Sequence, residues 1–402
     1  MAQNTLVLVD QLQKETIRLK DKKTIIKQAA NTQYEGEVKQ QGDTVRVQTF
    51  QYIFGNVGGT AGGAIPTPAF AIKSETLTTD QVYQNGSQIA DIEEVQSNLS
   101  LISKVANRFA YASANQEDQY VASFFSDAPT ANKIANQSPL TLSSSNTYSD
   151  CVTQLTKALS ENNATGGYFF GSPAFTRRLK LEGILDSSDR GLNIRLNGIM
   201  GRIDGFQYME TNNLPHVRTL TVDDTLTGSD TMTIQGLEQD TVNGGYKARN
   251  VVFTFVASPS SAGDIDIGAT VADTQANIVN AINGTGTTGA STYIELAAAD
   301  RTALKNAFVY CSAFSSDVAT IRSSFNMTVA ETFTAGTNVF GVDAILVAAL
   351  DRQAINFACQ MDKYKVKDLT DRFGSNVLLE KVYGGKVFDE NGKGMATCEV
   401  IA

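Results

Sequence analysis

The sequence predicts an α+β fold built from unusually extended pieces. Three observations lead there. Two strand-like runs, 44–54 and 69–83, flank a glycine-rich tip. A single apolar stripe at helical spacing runs from about 98 to 126. An α/β pattern over 130–215 breaks off and resumes near 341, after a stretch of different composition.

Residues 1–42 read as an arm. Between Lys14 and Lys27 it carries six basic residues (Lys14, Arg18, Lys20, Lys22, Lys23, Lys27) against Glu15 and Asp21. Such a run suits either a solvated terminus or contact with a polyanion or acidic protein. The extended loop, 43–84, begins where Val45, Val47 and Thr49 alternate after Gly42-Asp43. Its tip, 55–68, holds five glycines and two prolines, residues that block regular pairing. A two-stranded hairpin of this length has no core and must rest on something.

Leu99, Ile102, Ala106, Phe109, Ser113, Gln116, Tyr120 and Phe124 follow steps of three and four, predicting a helix of about 29 residues, roughly 43 Å long. Ser97 or Asn98 would cap its start and Pro129 would stop it. Beyond it, 148–162 and 173–185 read as helices, 167–171 as a buried strand, and 205–215 as a strand entering a turn. The stretch 342–364 is predicted helical from Ile345, Ala348, Arg352 and Ile355. Strands at 377–387 and 395–401 close the chain around a turn at 389–394.

The interrupting segment, 216–340, is rich in Thr, Ser, Gly, Asp and Asn. Strands are expected at 231–234, 250–256 and 264–267. Helices are expected at 272–282, closed by Asn283-Gly284, and at 298–307. It reads as a domain inserted into a host, an arrangement that loop physics tolerates.

Composition narrows the function. The net charge of −9 disfavours a uniformly basic nucleic-acid binder, and the segment 216–340 holds 12 acidic against 6 basic residues. One histidine, His216, cannot make a multi-histidine metal centre or relay. Cys151, Cys311, Cys359 and Cys398 are too widely spaced for a metal clip and read as ordinary thiols. The start of the chain does not read as a signal peptide, and no apolar run approaches the roughly 18–20 residues of a membrane span. The glycines of 55–63 lack the lysine and helix of a phosphate loop, and no Gly-x-Ser-x-Gly elbow occurs. Asp223, Asp224, Asp230, Asp264 and Asp266 do not match a calcium loop and read as a solvated acidic face. No catalytic residue, cofactor or metal site is expected.

The order of these pieces resembles the major capsid proteins of tailed bacteriophages, in the subfamily that carries an inserted domain. Four stretches resemble that family in wording: 31–45 (Asn-Thr-Gln-Tyr-Glu-Gly-Glu-Val-Lys-Gln-Gln-Gly-Asp-Thr-Val), 105–118 (Val-Ala-Asn-Arg-Phe-Ala-Tyr-Ala-Ser-Ala-Asn-Gln-Glu-Asp), 205–215 (Gly-Phe-Gln-Tyr-Met-Glu-Thr-Asn-Asn-Leu-Pro) and 379–387 (Leu-Glu-Lys-Val-Tyr-Gly-Gly-Lys-Val). The resemblance implies the Hong Kong phage-type fold. Its parts would be an arm (1–42), an extended loop (43–84), a peripheral domain with the spine helix (85–135 and 365–402), an axial domain (136–215 and 341–364) and an inserted α+β domain (216–340). It also implies self-assembly into hexamers and pentamers of an icosahedral shell around double-stranded DNA. Scaffolding protein, portal and a decoration protein would be partners, and the arm lysines would meet scaffold or packaged DNA. Some family members crosslink a loop lysine to a neighbour's asparagine; Lys73 would be the donor here, although burial across many interfaces suffices without it. An encapsulin-like compartment shell and another virion structural protein are the alternative readings.

Overall fold

The computed structural model describes residues 24–36, 44–50, 72–91, 101–143, 145–164, 166–182, 199–240, 245–334, 336–370 and 373–401. The glycine-rich tip, the helix cap at Ser97 or Asn98, and Lys14, Arg18, Lys20, Lys22 and Lys23 lie outside these residues.

Strands β1 (Thr44–Phe50) and β2 (Ile72–Thr78) pair antiparallel from Thr44↔Thr78 to Phe50↔Ile72. Among the described residues of this hairpin the buried ones lie at its base: Val45 and Leu77 pack with Ala358 and Phe388, flanked by Tyr34. After a tight turn comes β3 (Gln81–Ala90), then the spine helix α1 (Leu101–Ser123) of 23 residues, about 35 Å. A 3-10 turn, Phe124–Asp127, extends it before Pro129. The predicted stripe is the buried one. Ile102, Val105 and Phe109 meet Ile89, Val377 and Leu379, while Tyr120 and Val121 enter the main core.

The large sheet follows, with short β4 (Lys133–Ile134) and β5 (Leu140–Thr141), helix α2 (Thr153–Glu161), β6 (Gly167–Gly171), α3 (Pro173–Leu181), β7 (Ile199–Ile203) and β8 (Phe206–Glu210). Ser172 caps α3 by accepting from the Phe175 N–H, with Pro173 at the first helical position. The segment 216–340 begins with β9 (His216–Thr221). It continues through β10 (Thr231–Gln239), β11 (Tyr246–Val256), β12 (Asp264–Asp266), α4 (Val271–Asn283), α5 (Ala298–Asn306), β13 (Tyr310–Cys311), β14 (Val318–Ser323), β15 (Val329–Glu331) and β16 (Val339–Phe340). Helix α4 starts in a reciprocal Thr270–Asp273 capping box and ends on Gly284 at φ 66°, the left-handed conformation glycine tolerates.

Strands β10, β11, β12 and β15 form their own four-stranded sheet over a separate apolar core that includes Phe253, Phe255, Ile278 and Tyr293. The segment is not detached, however. Strand β9 pairs with β14 and also meets the strand at 344–350, so the large sheet of 11 strands runs into it.

The last quarter of the chain holds the main correction. The helix predicted over 342–364 is two strands, β17 (Ala344–Leu350) and β18 (Asn356–Asp368). Strand β17 is buried on both faces: Leu346, Ala348 and Leu350 face one core, Val347 and Ala349 the other. Such a strand reads as an unbroken apolar run, and alanines within it mimic helical spacing. Strand β18 pairs with β19 (Gly374–Lys386), and β19 with β3, in a long three-stranded sheet against α1. The final strand, β20 (Met395–Ile401), was expected in the peripheral domain. It lies instead in the large sheet beside β17, because its own Ala396, Cys398 and Val400 share the β17 core.

Candidate assembly surfaces

Three joints decide what each extended piece can do. The first fixes the arm. Ile25, Ile26 and Ala29 are buried in the main core, and residues 26–29 make one 3-10 turn whose leading N–H groups lack internal partners. Asp118 of α1 supplies one: its Oδ1 accepts from Ile26 N at 2.6 Å and Lys27 N at 3.0 Å, and its Oδ2 from Asn213 Nδ2 at 2.9 Å. Burial pushes this carboxyl up to about 6 against those hydrogen bonds. Next to it, buried Glu117 receives Lys27 Nζ at 2.6 Å and Lys381 Nζ at 3.0 Å. Asn31 then joins β18, donating to Ile355 O at 2.7 Å and accepting from Phe357 N at 2.9 Å.

Lys27 is therefore the one proposed arm contact within the described residues, and its ammonium is held by Glu117 and lies 4.7 Å from the Phe357 ring centre. Sequence reasoning missed Asp118, Glu117 and Asn213. The available signal was two consecutive acids beside the apolar stripe at Gln116 and Tyr120. Asp118→Ala is expected to leave three donors without their acceptor and to cost about 3 kcal/mol or more. Limited proteolysis should then cut within 24–36 at least tenfold faster than in the unaltered chain; an unchanged rate would show the arm is held elsewhere.

The second joint seats the hairpin. Lys73 of β2 pairs with Asp389 and lies 3.5 Å from Glu75, while Asp389 N donates to Glu75. This partnership raises the Lys73 pKa, led by the hydrogen bond to Asp389, and so disfavours the neutral amine a crosslink would need. The third joint ties 216–340 to the spine. Half-buried Arg322 donates to Ser123 O and Ser126 Oγ, sits 3.5 Å from Asp127, and covers the Tyr310 ring at 4.7 Å. At the neck of the segment, His216 Nδ1 and Asp343 Oδ2 are 2.9 Å apart.

The acidic residues of 216–340 serve their own loops. Asp230 accepts from Thr227 N, Asp264 from Ser260 N and Ser261 N, and Asp266 from Gly268 N. Asp223 is bound by Thr337, and Asp224 by Thr225. The four cysteines are buried and unpaired.

Solved structures share this arrangement over nearly its full length. One from Mycobacterium phage Che8 matches 98% of this chain and 97% of its own, at 15% identity and a TM-score of 0.54. The capsid structure of the Cyanophage P-SCSP1u matches 98% of this chain and 93% of its own, at 12% identity and a TM-score of 0.51. The chain has a phage capsid fold. No family model matches it. No curated protein matches it either.

Proposed function

We propose that this chain is the major capsid protein of a tailed bacteriophage, a structural subunit that self-assembles into hexamers and pentamers around packaged double-stranded DNA. The observation that carries the reading is the match to a phage capsid structure across 98% of the chain. The hairpin supports it: among its described residues the core lies at the base, a two-stranded hairpin needs a second surface, and a neighbouring copy supplies one. In this reading 216–340 is the inserted domain, the hairpin lies across a neighbour, and the role is structural rather than catalytic. Scaffolding protein, portal and a decoration protein are further partners, the virion is its location, and the basic residues before Lys27 meet scaffold or DNA.

The test is negative-stain microscopy with light scattering on the chain expressed alone and with its neighbouring genes. Closed shells, tubes or hexamer sheets are expected in at least one sample. A monodisperse monomer in both would remove the proposal. A single cargo-enzyme gene beside it, in place of terminase and portal genes, would turn the reading toward a compartment shell.

A further inference from the structure

The three-stranded sheet has two unlike faces. Val377, Leu379 and Tyr83 point to the spine helix. Because successive side chains alternate, the opposite face carries Lys363, Lys365 and Lys367 of β18, aligned with Glu380, Leu378 and Asn376 of β19. Continuing across the sheet, Gln84, Gly86 and Gln88 of β3 complete this face, and Gln84 Nε2 reaches Glu380 Oε1 at 3.0 Å.

All three lysines are exposed and form no ion pair among the described residues, whereas Lys27, Lys73 and Lys381 each hold a carboxylate. They repeat at roughly 6.6 Å along the strand. Val82, 59% exposed, and Leu378, 38% exposed, lie among them. The spine covers the other face at β19 and β3, while Tyr364 and Val366 of β18 stay exposed on it.

Segment 216–340 carries opposite charge that no cation compensates among the described residues. Around one end of that segment Asp223, Asp224, Asp273 and Asp317 are exposed, and their recorded partners there are neutral: Thr337, Thr225, Thr270 and Gln275. Gln275 ties the group together, bonding Val222 O at 2.7 Å and Asp317 Oδ1 at 2.9 Å.

We propose that the lysine row of β18 is a copy-to-copy contact that docks on the acidic end of segment 216–340 of a second copy. The proposal rests on the self-assembling reading above. Two observations favour a protein surface over DNA phosphates. Apolar Val82 and Leu378 share the face with the lysines, and a protein covers such residues where a phosphate backbone leaves them wet. The chain as a whole is also −9, so the matching charge is already present on every copy. Charge complementarity of this kind fixes register and speeds encounter, and salt weakens it.

The experiment compares sedimentation and microscopy of three chains, each with its neighbouring genes: unaltered, Lys363→Glu/Lys365→Glu/Lys367→Glu, and that triple change combined with Asp224→Lys/Asp317→Lys. The triple variant is expected to lose assembly at least tenfold, and the combined variant to recover most of it. Thermal melts of the unassembled subunits should agree, since all five positions are exposed. A milder Lys→Gln triple should assemble with reduced sensitivity to salt.

Triple-variant assembly equal to that of the unaltered chain overturns the contact, as does a combined variant that stays unassembled. A triple variant that assembles normally but no longer retains a short DNA duplex overturns it in favour of phosphate binding. An unaltered chain that never associates overturns the shell reading and this contact together, which separates that failure from the others.

Discussion

Alanine in place of Gly384 is expected to unseat the base of the extended loop and to cost about 3 kcal/mol or more. Gly384 lies buried in β19, under the turn that joins β2 to β3. A Cβ there would overlap Thr78 O and come within 2.6 Å of Thr79 Cα. Both neighbours are backbone, so no rotamer change relieves the overlap. The turn itself must lift, and with it the register that continues into Gln81↔Tyr383. The midpoint of urea unfolding of the soluble subunit reads the effect. Gly86→Ala in the same sheet is the control: its Cβ meets only the Leu378 Cδ2 end at 3.1 Å and Val377 O at 3.8 Å, so a change below about 1 kcal/mol is expected. Equal midpoints for the two variants would mean the turn is not packed as described.

Stability is expected to fall as pH rises from about 4 to above 7, and Glu399 is the largest single reason. Burial in β20 pushes its carboxyl up to about 7, opposed by the Gln137 N–H at 3.0 Å and by Lys133. Asp118, raised to about 6 by burial, acts in the same sense. Both folded values lie above the ordinary carboxyl value near 4, so between those limits the native state binds more protons than the unfolded chain. Their favourable contribution is complete below about pH 4 and is lost as pH rises through 6 and 7, by on the order of 3–4 kcal/mol per group at most. Glu399→Gln keeps an acceptor for Gln137 and removes the charge. It should raise stability at pH 8 by about 2–3 kcal/mol and change little at pH 4. Asp223, Glu238 and Asp389 are held below the usual range by hydrogen bonds, but Asp223 and Asp389 are exposed and Glu238 half-buried, so solvent screens all three. Melting curves of both chains across pH 4–8 check the result; parallel profiles would place the pH response elsewhere.

Local pattern carried far in this chain. The spine stripe, the Asn283-Gly284 stop of α4, the hairpin and the alternating strands of 216–340 were legible because each records its own period or cap within a dozen residues. The helix predicted over 342–364 failed because periodicity cannot separate a strand buried on both faces from a buried helix. The joints were illegible for another reason. Asp118 meets Ile26 across 92 positions, Arg322 meets Ser123 across 199, and Lys73 meets Asp389 across 316. Only Asp118, a charged residue flanking an apolar stripe, left a local trace.

By itself the sequence determined the kind of pieces: a basic arm, a glycine-tipped hairpin, a long helix and an acidic interrupting segment. These follow from backbone preference and side-chain period, which act over neighbouring residues. Tertiary structure alone decided how the pieces are used. It clasped the arm through a buried carboxylate, consumed Lys27 in an ion pair and placed β20 in the large sheet. It also left the lysines of β18 facing away from the spine. Those outcomes depend on which charges are buried together and which are left unpaired, and burial is settled only when distant segments meet.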